Sequence, residues 1–312
     1  MATKGSCSLS VVIRVHGRQP YLLNSIHSAL SQVTSFSFDV WLILDRPDPQ
    51  VYEDLETISD SRLTVYHPKS VGPAEPINEL FEFLSGDLVA ILDADDMMEP
   101  NRLQLQYDFL AKNQGVAVVG SSVFLIDERG NRFGEKIFPT DRHTIYEQRY
   151  RKLPVAHPSI VFRKSSIIDV GSYRSYYDFA EDFDLWLRVL DRFEIANLNE
   201  FLTSYRIHPK QTTSTFLEKN VLAAVAARIS GKRRSKGLID LSERTVPISK
   251  LMLDPRIFVE VKYRVTVRKC WNQASESIKD KNFKRLILPV IGLLFLDTPA
   301  VFRKLLQSWR ST

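Results

Sequence analysis

The sequence predicts an α/β fold: a sheet parallel in its first half, with helices between its strands, followed by a basic, mostly helical C-terminal extension. Three observations predict it. Short apolar, β-branched runs alternate with segments of helical period over the first hundred residues, which implies parallel pairing through crossover helices. Carboxylates follow directly on two of those runs, at the strand ends where open α/β sheets bind ligands. Charge is split: residues 1–215 hold 22 Lys and Arg against 29 Asp and Glu, a net of −7, whereas residues 216–312 hold 20 against 8, a net of +12. The expected organisation is therefore a body over 1–215 and an extension over 216–312. The chain is 44% hydrophobic and 25% charged, which excludes a disordered or fibrous reading for most of it. Its two cysteines, Cys7 and Cys270, are too few for a disulfide framework and lack zinc-ligand spacing, so a reducing compartment is expected.

The elements follow in order. Leu9–Val15 is short, β-branched and mostly apolar, a buried strand. Pro20–Val33 carries Leu22, Leu23, Ile26 and Leu30 at helical spacing. Asp39–Leu44 is a second strand, stopped by the two prolines and two aspartates of Asp45–Pro49. Val51–Ile58 is a short helix, Leu63–Tyr66 a third strand and Pro76–Leu84 a helix. Leu88–Leu92 is a fourth strand that runs into Asp93-Ala94-Asp95-Asp96. A helix follows over Leu103–Lys112. Val116–Val119 and Val123–Ile126 read as two strands, with Asp127–Gly130 as the turn of a hairpin-rich region. Asp182–Leu190 is helical, with the stripe Leu185, Trp186, Val189, Leu190, and Val221–Ile229 is helical before the basic run Gly231–Lys236. The longest apolar stretch, Leu286–Leu296, is 11 residues with Pro289 and Gly292 inside it. A spanning helix needs about 20. Met1–Ser10 lacks the apolar run of a secretory signal.

Three constellations carry chemistry. The carboxylates of Asp93–Asp96 repel one another, and a cation relieves that cost. All-oxygen ligands suit hard ions such as Mg²⁺ or Mn²⁺, which also bridge phosphates. A solvated acidic turn or a cap before Pro100 is the plain alternative, and the strand in front of the acids weighs against it. Glu181, Asp182 and Asp184 crowd a helix start, where acids complement the dipole and where a carboxylate can serve as a general base. Arg206, His208 and Lys210 alternate in a pattern suited to a diphosphate or a metal.

In these residues the chain resembles the family 2 glycosyltransferases, whose GT-A fold is a Rossmann-like mixed sheet flanked by helices. The likeness runs from about Leu9 to Thr215. Ser10–Ile13 matches the family's first strand, and Asp45 falls where a family aspartate recognises the nucleotide base. Gly72, Ala74 and Asn78 match a loop–helix segment beside the nucleotide, and Asp93-Ala94-Asp95 sits at the family's Asp-x-Asp. Gly171-Ser172-Tyr173, then Glu181-Asp182 and Leu185-Trp186, match the acceptor-side signature. Tyr205-Arg206 with His208 matches a late motif near the diphosphate. Arg14–Gly17 stands where the family often has Pro-Thr-Tyr-Asn, Ile77 where it has Arg, and Arg46 where it has a second Asp. The resemblance implies inverting transfer from a nucleotide-diphosphate sugar, a UDP-sugar first, to an acceptor hydroxyl in bacterial surface polysaccharide or lipopolysaccharide synthesis. It implies Asp182 as the base. It puts Val15, Asp45, Gly72, Asn78, Asp93, Ala94 and Arg206 on the nucleotide sugar. Asp95 and His208 would hold Mn²⁺ or Mg²⁺, and Glu181 and Trp186 would face a glycan or lipid-linked glycan acceptor.

The extension matches no motif. Its basic clusters, Arg228–Lys236, Arg264–Lys269 and Lys279–Arg285, alternate with apolar runs, and Arg303, Lys304 and Arg310 interleave with Val301, Phe302, Leu305, Leu306 and Trp309. That pattern suits an anionic membrane surface and equally a packed extension or dimer contact. The expected location is cytoplasmic, peripheral on the inner face of the cell membrane. Two other readings are a nucleotidyltransferase and a nucleic-acid-binding protein. Against the first, no glycine-rich phosphate loop follows the first strand; against the second, no nucleic-acid motif appears.

Overall fold

The computed structural model describes residues 8–209, 211, 215–244 and 246–279. Cys7, Lys210, the basic cluster at 280–285 and the interfacial segments Leu286–Leu296 and Val301–Trp309 lie outside the described residues. The chain runs β1 (Leu9–Gly17), α1 (Leu22–Leu30), β2 (Phe38–Pro47), α2 (Pro49–Glu56), β3 (Leu63–Tyr66), α3 (Glu75–Leu80), β4 (Leu88–Asp93), β5 (Met97–Met98), α4 (Arg102–Lys112), β6 (Val116–Ile126) and β7 (Arg132–Lys136). It continues with α5 (Arg142–Gln148), a 3₁₀ turn (His157–Ser159), β8 (Val161–Arg163), α6 (Lys164–Asp169), α7 (Glu181–Leu190), β9 (Glu194–Arg206), α8 (Leu217–Arg234) and α9 (Pro255–Lys279).

The strands form one mixed sheet in the order β3-β2-β1-β4-β8-β6-β9-β5, with β7 paired to β6. The expected parallel half is present: β1 lies between β2 and β4, parallel to both, and β3 is parallel to β2. Side chains alternate across β1, and both faces are covered, which is why its sequence is mostly apolar on both sides. Leu9, Val11, Ile13 and Val15 pack with Leu22 and Ile26 of α1. Val12 points the other way, onto the cluster that holds Ile77, Leu80, Leu185 and Trp186.

The structure corrects several boundaries. β2 does not stop at Asp45 but runs to Pro47, because Gly17 pairs with Pro47 through a bulge and the Asp48 N–H bonds to the Gly17 carbonyl. Val116–Ile126 is one strand rather than two. Its middle, Gly120-Ser121-Ser122, looks like a turn in sequence. In the fold Ser121 and Ser122 are buried, and Gly120 lies so close to Val155 and Asn197 that a side chain has no room. β9, unanticipated, pairs in parallel with β6 along its length. α8 extends the expected helix at both ends and packs on α7 through Ala223, Ala226, Ala227 and Leu187. Gly231 allows this approach, since a Cβ there would stand 2.9 Å from the Tyr150 ring and 3.1 Å from Leu187. Among the described residues no helix is long and apolar enough to cross a membrane.

Candidate active site

The parallel register brings the carboxyl ends of β1, β2 and β4 together: Arg14 is level with Asp93, and His16 with Asp45. Asp45 is buried. Its Oδ2 accepts from the Arg14 guanidinium at 3.0 Å and from the Gly72 N–H at 3.1 Å, with His16 Nδ1 at 3.3 Å. Burial opposes ionisation, but these donors outweigh it and hold the carboxyl below its ordinary range. Gly72 has φ +105°, a conformation glycine adopts freely, and that turns its N–H toward Asp45. The side chains of Val15 and Ala94 are buried in the core beneath, so only their main chains can face the crevice.

Past β4, carboxylate oxygens of Asp93, Asp95 and Asp96 lie within 4.8 Å of one another. The turn that carries them is held from below. The Ser25 hydroxyl sits against the main-chain carbonyls of Asp93 and Asp96. Arg102, fully buried, donates to the carbonyls of Ile91 (2.8 Å), Pro158 (2.6 Å) and Ile160 (3.0 Å). Asp96 accepts the Arg206 N–H at 2.7 Å, and its Oδ2 is buried without a hydrogen-bond partner. Burial, then repulsion from Asp95 and Asp93, pushes the Asp96 carboxyl well above the usual range. An all-oxygen set that includes an unpartnered buried oxygen and three crowded charges fits a hard divalent cation.

Arg206 and His208 close this side. The Arg206 guanidinium donates to the carbonyls of Asp95 (2.7 Å), Asp127 (2.9 Å) and Glu128 (3.2 Å) and lies 4.2 Å from the Tyr21 ring centroid. It thus pins the acidic turn to the β6–β7 hairpin. His208 Nε2 lies 2.9 Å from Asp95 Oδ2.

The second acidic group faces the first. Glu181 and Asp182 open α7, and Asp182 Oδ1 accepts the Phe183 N–H at 2.6 Å. Burial raises the Asp182 carboxyl against the pull of His157. Burial, then the neighbouring Asp182, pushes Glu181 up to about 7, and its Oε2 has no hydrogen-bond partner. His157, absent from the residues chosen by sequence, bridges the two groups. Its Nδ1 is 3.8 Å from Asp93 Oδ1 and its Nε2 3.0 Å from the Tyr173 hydroxyl. Burial works to lower its pKa, but the carboxylates of Asp93, Asp182 and Glu181 prevail and raise it. The available signal was a polar His157-Pro158-Ser159 set directly before the apolar Ile160–Phe162.

Two expected contacts change meaning. Trp186 is 0% exposed and therefore touches no acceptor; it lies under His157, ring centroids 6.1 Å apart, as part of the floor. The Asn78 amide is engaged by the main chain of Tyr173 in both directions, at 2.8 and 3.0 Å, so it ties the Gly171–Tyr173 turn to α3. Arg14, noticed in sequence only as a departure, supplies a cation beside Asp45, as Arg46 does at 3.5 Å, and also faces Asp178 and Glu181.

The sequence model of Glycosyl transferase family 2 matches residues 10–171, and the O-antigen biosynthesis glycosyltransferase WbnJ of Escherichia coli is 30% identical over 233 residues, 73% of this chain and 90% of that one. The chain belongs to glycosyltransferase family 2. The amylovoran biosynthesis glycosyltransferase AmsE of Erwinia amylovora is 28% identical over 205 residues, 63% of this chain and 75% of its own. The fold matches residues 1–349 of S. aureus TarS, solved in complex with UDP-GlcNAc, with a TM-score of 0.55 and 16% identity over 92% of this chain and 91% of that one. The GT-A fold expected from the family is therefore the fold observed.

Proposed function

We propose that this family 2 glycosyltransferase transfers a sugar, with inversion, from a UDP-sugar to an acceptor hydroxyl of a bacterial surface glycan or its lipid-linked precursor. The observation that carries this is the facing of two acidic groups across one crevice: the crowded Asp93–Asp96 turn on one side, and Asp182 with Glu181, both raised by burial, on the other. Asp45, fixed by Arg14 and Gly72, takes the base end of the nucleotide. Asp95 and its neighbours would hold Mn²⁺ or Mg²⁺, which when bound neutralises charge on the departing diphosphate. Asp182 accepts the proton of the acceptor hydroxyl as that oxygen attacks the anomeric carbon. A carboxylate with raised proton affinity suits that role at neutral pH. WbnJ, by its name an O-antigen enzyme, and the UDP-GlcNAc bound to TarS support the choice of glycan and nucleotide. Attachment to an anionic inner membrane face belongs to the same proposal, supported by exposed Phe258 and Val259 on α9 among Arg256, Lys262 and Arg264.

Thermal shift with UDP, GDP, dTDP and CMP, each with and without Mn²⁺ or Mg²⁺, tests it. A ligand at about 100 times its dissociation constant adds roughly 2.7 kcal/mol. Metal-dependent stabilisation by UDP, lost in Asp95→Ala, is expected. No shift with any nucleotide would overturn the proposal.

A further inference from the structure

The loop that delivers Glu181 and Asp182 is held in an unfavourable backbone conformation by a part of the chain outside the region the family model matches. Ser172 has φ +53° and Phe179 φ +77°, left-handed positions that a residue with a side chain adopts only at a cost. Phe179 stands two residues before Glu181, so the direction in which α7 starts depends on it. Side chains beyond residue 216 grip this loop, chief among them Asn220, Ser230 and Asp240. The Asn220 amide of α8 donates to the Phe179 carbonyl. The hydroxyl of Tyr177, a fully buried side chain, lies 2.5 Å from Asp240 Oδ1 and 2.6 Å from Ser230 Oγ. One phenolic proton serves one of them. The carboxylate takes it, and the Ser230 hydroxyl then donates back to the phenol oxygen. Asp240 is itself buried and also accepts from Arg174 at 3.2 Å, from Arg234 at 2.5 Å and from the Ser242 N–H at 2.9 Å. Arg174 opens the same loop, so Asp240 fixes the loop at two points and Asn220 at a third. Arg234 carries the network into α7 itself, 2.9 Å from Asp191 and 3.8 Å from Asp184.

We propose that Asn220, Ser230 and Asp240 are positioning residues for Asp182: the segment 217–244 is a brace that sustains the Phe179 conformation and so sets where the base stands. The family model ends at Gly171, before this loop, so the model itself does not describe the brace. The inference rests on Asp182 as base, and its test separates the two. Tyr177→Phe keeps the buried ring and removes the hydroxyl. Asn220→Ala acts at a half-buried position where folding is readily retained. Both are compared with wild type and with Asp182→Asn in the full-length chain. Hydrogen exchange without ligand is the first reading: the amides of residues 179–184 should exchange about tenfold faster or more, with β1 and β4 unchanged. The second is nucleotide release from UDP-, GDP- and dTDP-sugars: at saturating donor the rate should fall about tenfold or more, as geometric misplacement of a reacting group can cause, with donor KM within twofold. Exchange at 179–184 equal to wild type in both variants, or a full rate in both, overturns the brace. So does loss of protection and donor affinity throughout the sheet. A fully active Asp182→Asn sinks the base instead, and the exchange data still judge the brace.

Discussion

Arg102 underlies both halves of the crevice, and its removal should be among the costliest single changes in the body. The side chain is fully buried and has no carboxylate partner within ion-pair distance among the described residues. It donates instead to the carbonyls of Ile91, Pro158 and Ile160, to Thr203 Oγ1 at 3.2 Å and to Gln106 Oε1 at 3.0 Å. Ile91 lies in the strand that ends at Asp93, and Pro158 follows His157, so one guanidinium ties the acidic turn to the bridging histidine. Arg102→Met keeps much of the volume and removes every donor. The carbonyls cannot leave with it, and each buried acceptor left without a partner costs about 1–3 kcal/mol. Ile160 keeps the Ile91 N–H at 3.1 Å, so the loss falls mainly on Ile91, Pro158 and the two side chains. Release of a buried charge offsets part of it, and a net loss of about 3–5 kcal/mol is expected, a large share of a total near 5–15. With a urea slope of about 3 kcal/mol per molar, the unfolding midpoint falls by about 1–1.7 M. Arg102→Lys, which keeps the charge without the fork, falls between. A midpoint shift of less than about 0.3 M in Arg102→Met would refute the reasoning, since it would mean the carbonyls find other donors.

Further outcomes follow from the same geometry. Glu181 binds its proton near pH 7 in the folded chain, against 4.5 unfolded, so the folded state holds more protons between those values. Its contribution is present in full below about 4.5 and is lost as pH rises through 7. Glu181→Gln should therefore be more stable than wild type by about 1–3 kcal/mol at pH 8 and show no gain at pH 4, as read by denaturant midpoints. Gly231→Ala drives a methyl against the Tyr150 ring and Leu187 and should cost about 1–3 kcal/mol, seen as a Tm several degrees lower.

What the sequence revealed of the site depended on chain continuity. Asp45 and Asp93–Asp96 were legible because each follows directly on an apolar β-branched run, and a parallel sheet places such ends side by side. His157 was not, because what makes it matter is the contact of a 3₁₀ turn with Asp93 and Tyr173, residues far from it in the chain. Trp186 shows the opposite failure: its place in an acceptor-side motif suggested a surface role, while its position on the inner stripe of α7 buries it. β6 read as two strands because Gly120-Ser121-Ser122 has turn composition, and only the packing of Val155 and Asn197 against Gly120 explains a small residue there. β9 carries Asn197, Asn199 and Glu200 and shifts register beside Ser122, so it has neither the alternation nor the apolar run that marks a strand.

Asp182→Asn tests the central claim most directly. The substitution keeps the size of the side chain and removes its ability to take a proton. A positioned base contributes about 10²–10⁴ in rate, so sugar transfer should fall by that factor while metal-dependent UDP binding is kept and Tm is at or above the wild-type value, since burial already opposes ionisation of Asp182. Transfer at the wild-type rate in a folded, UDP-binding Asp182→Asn protein would contradict the account.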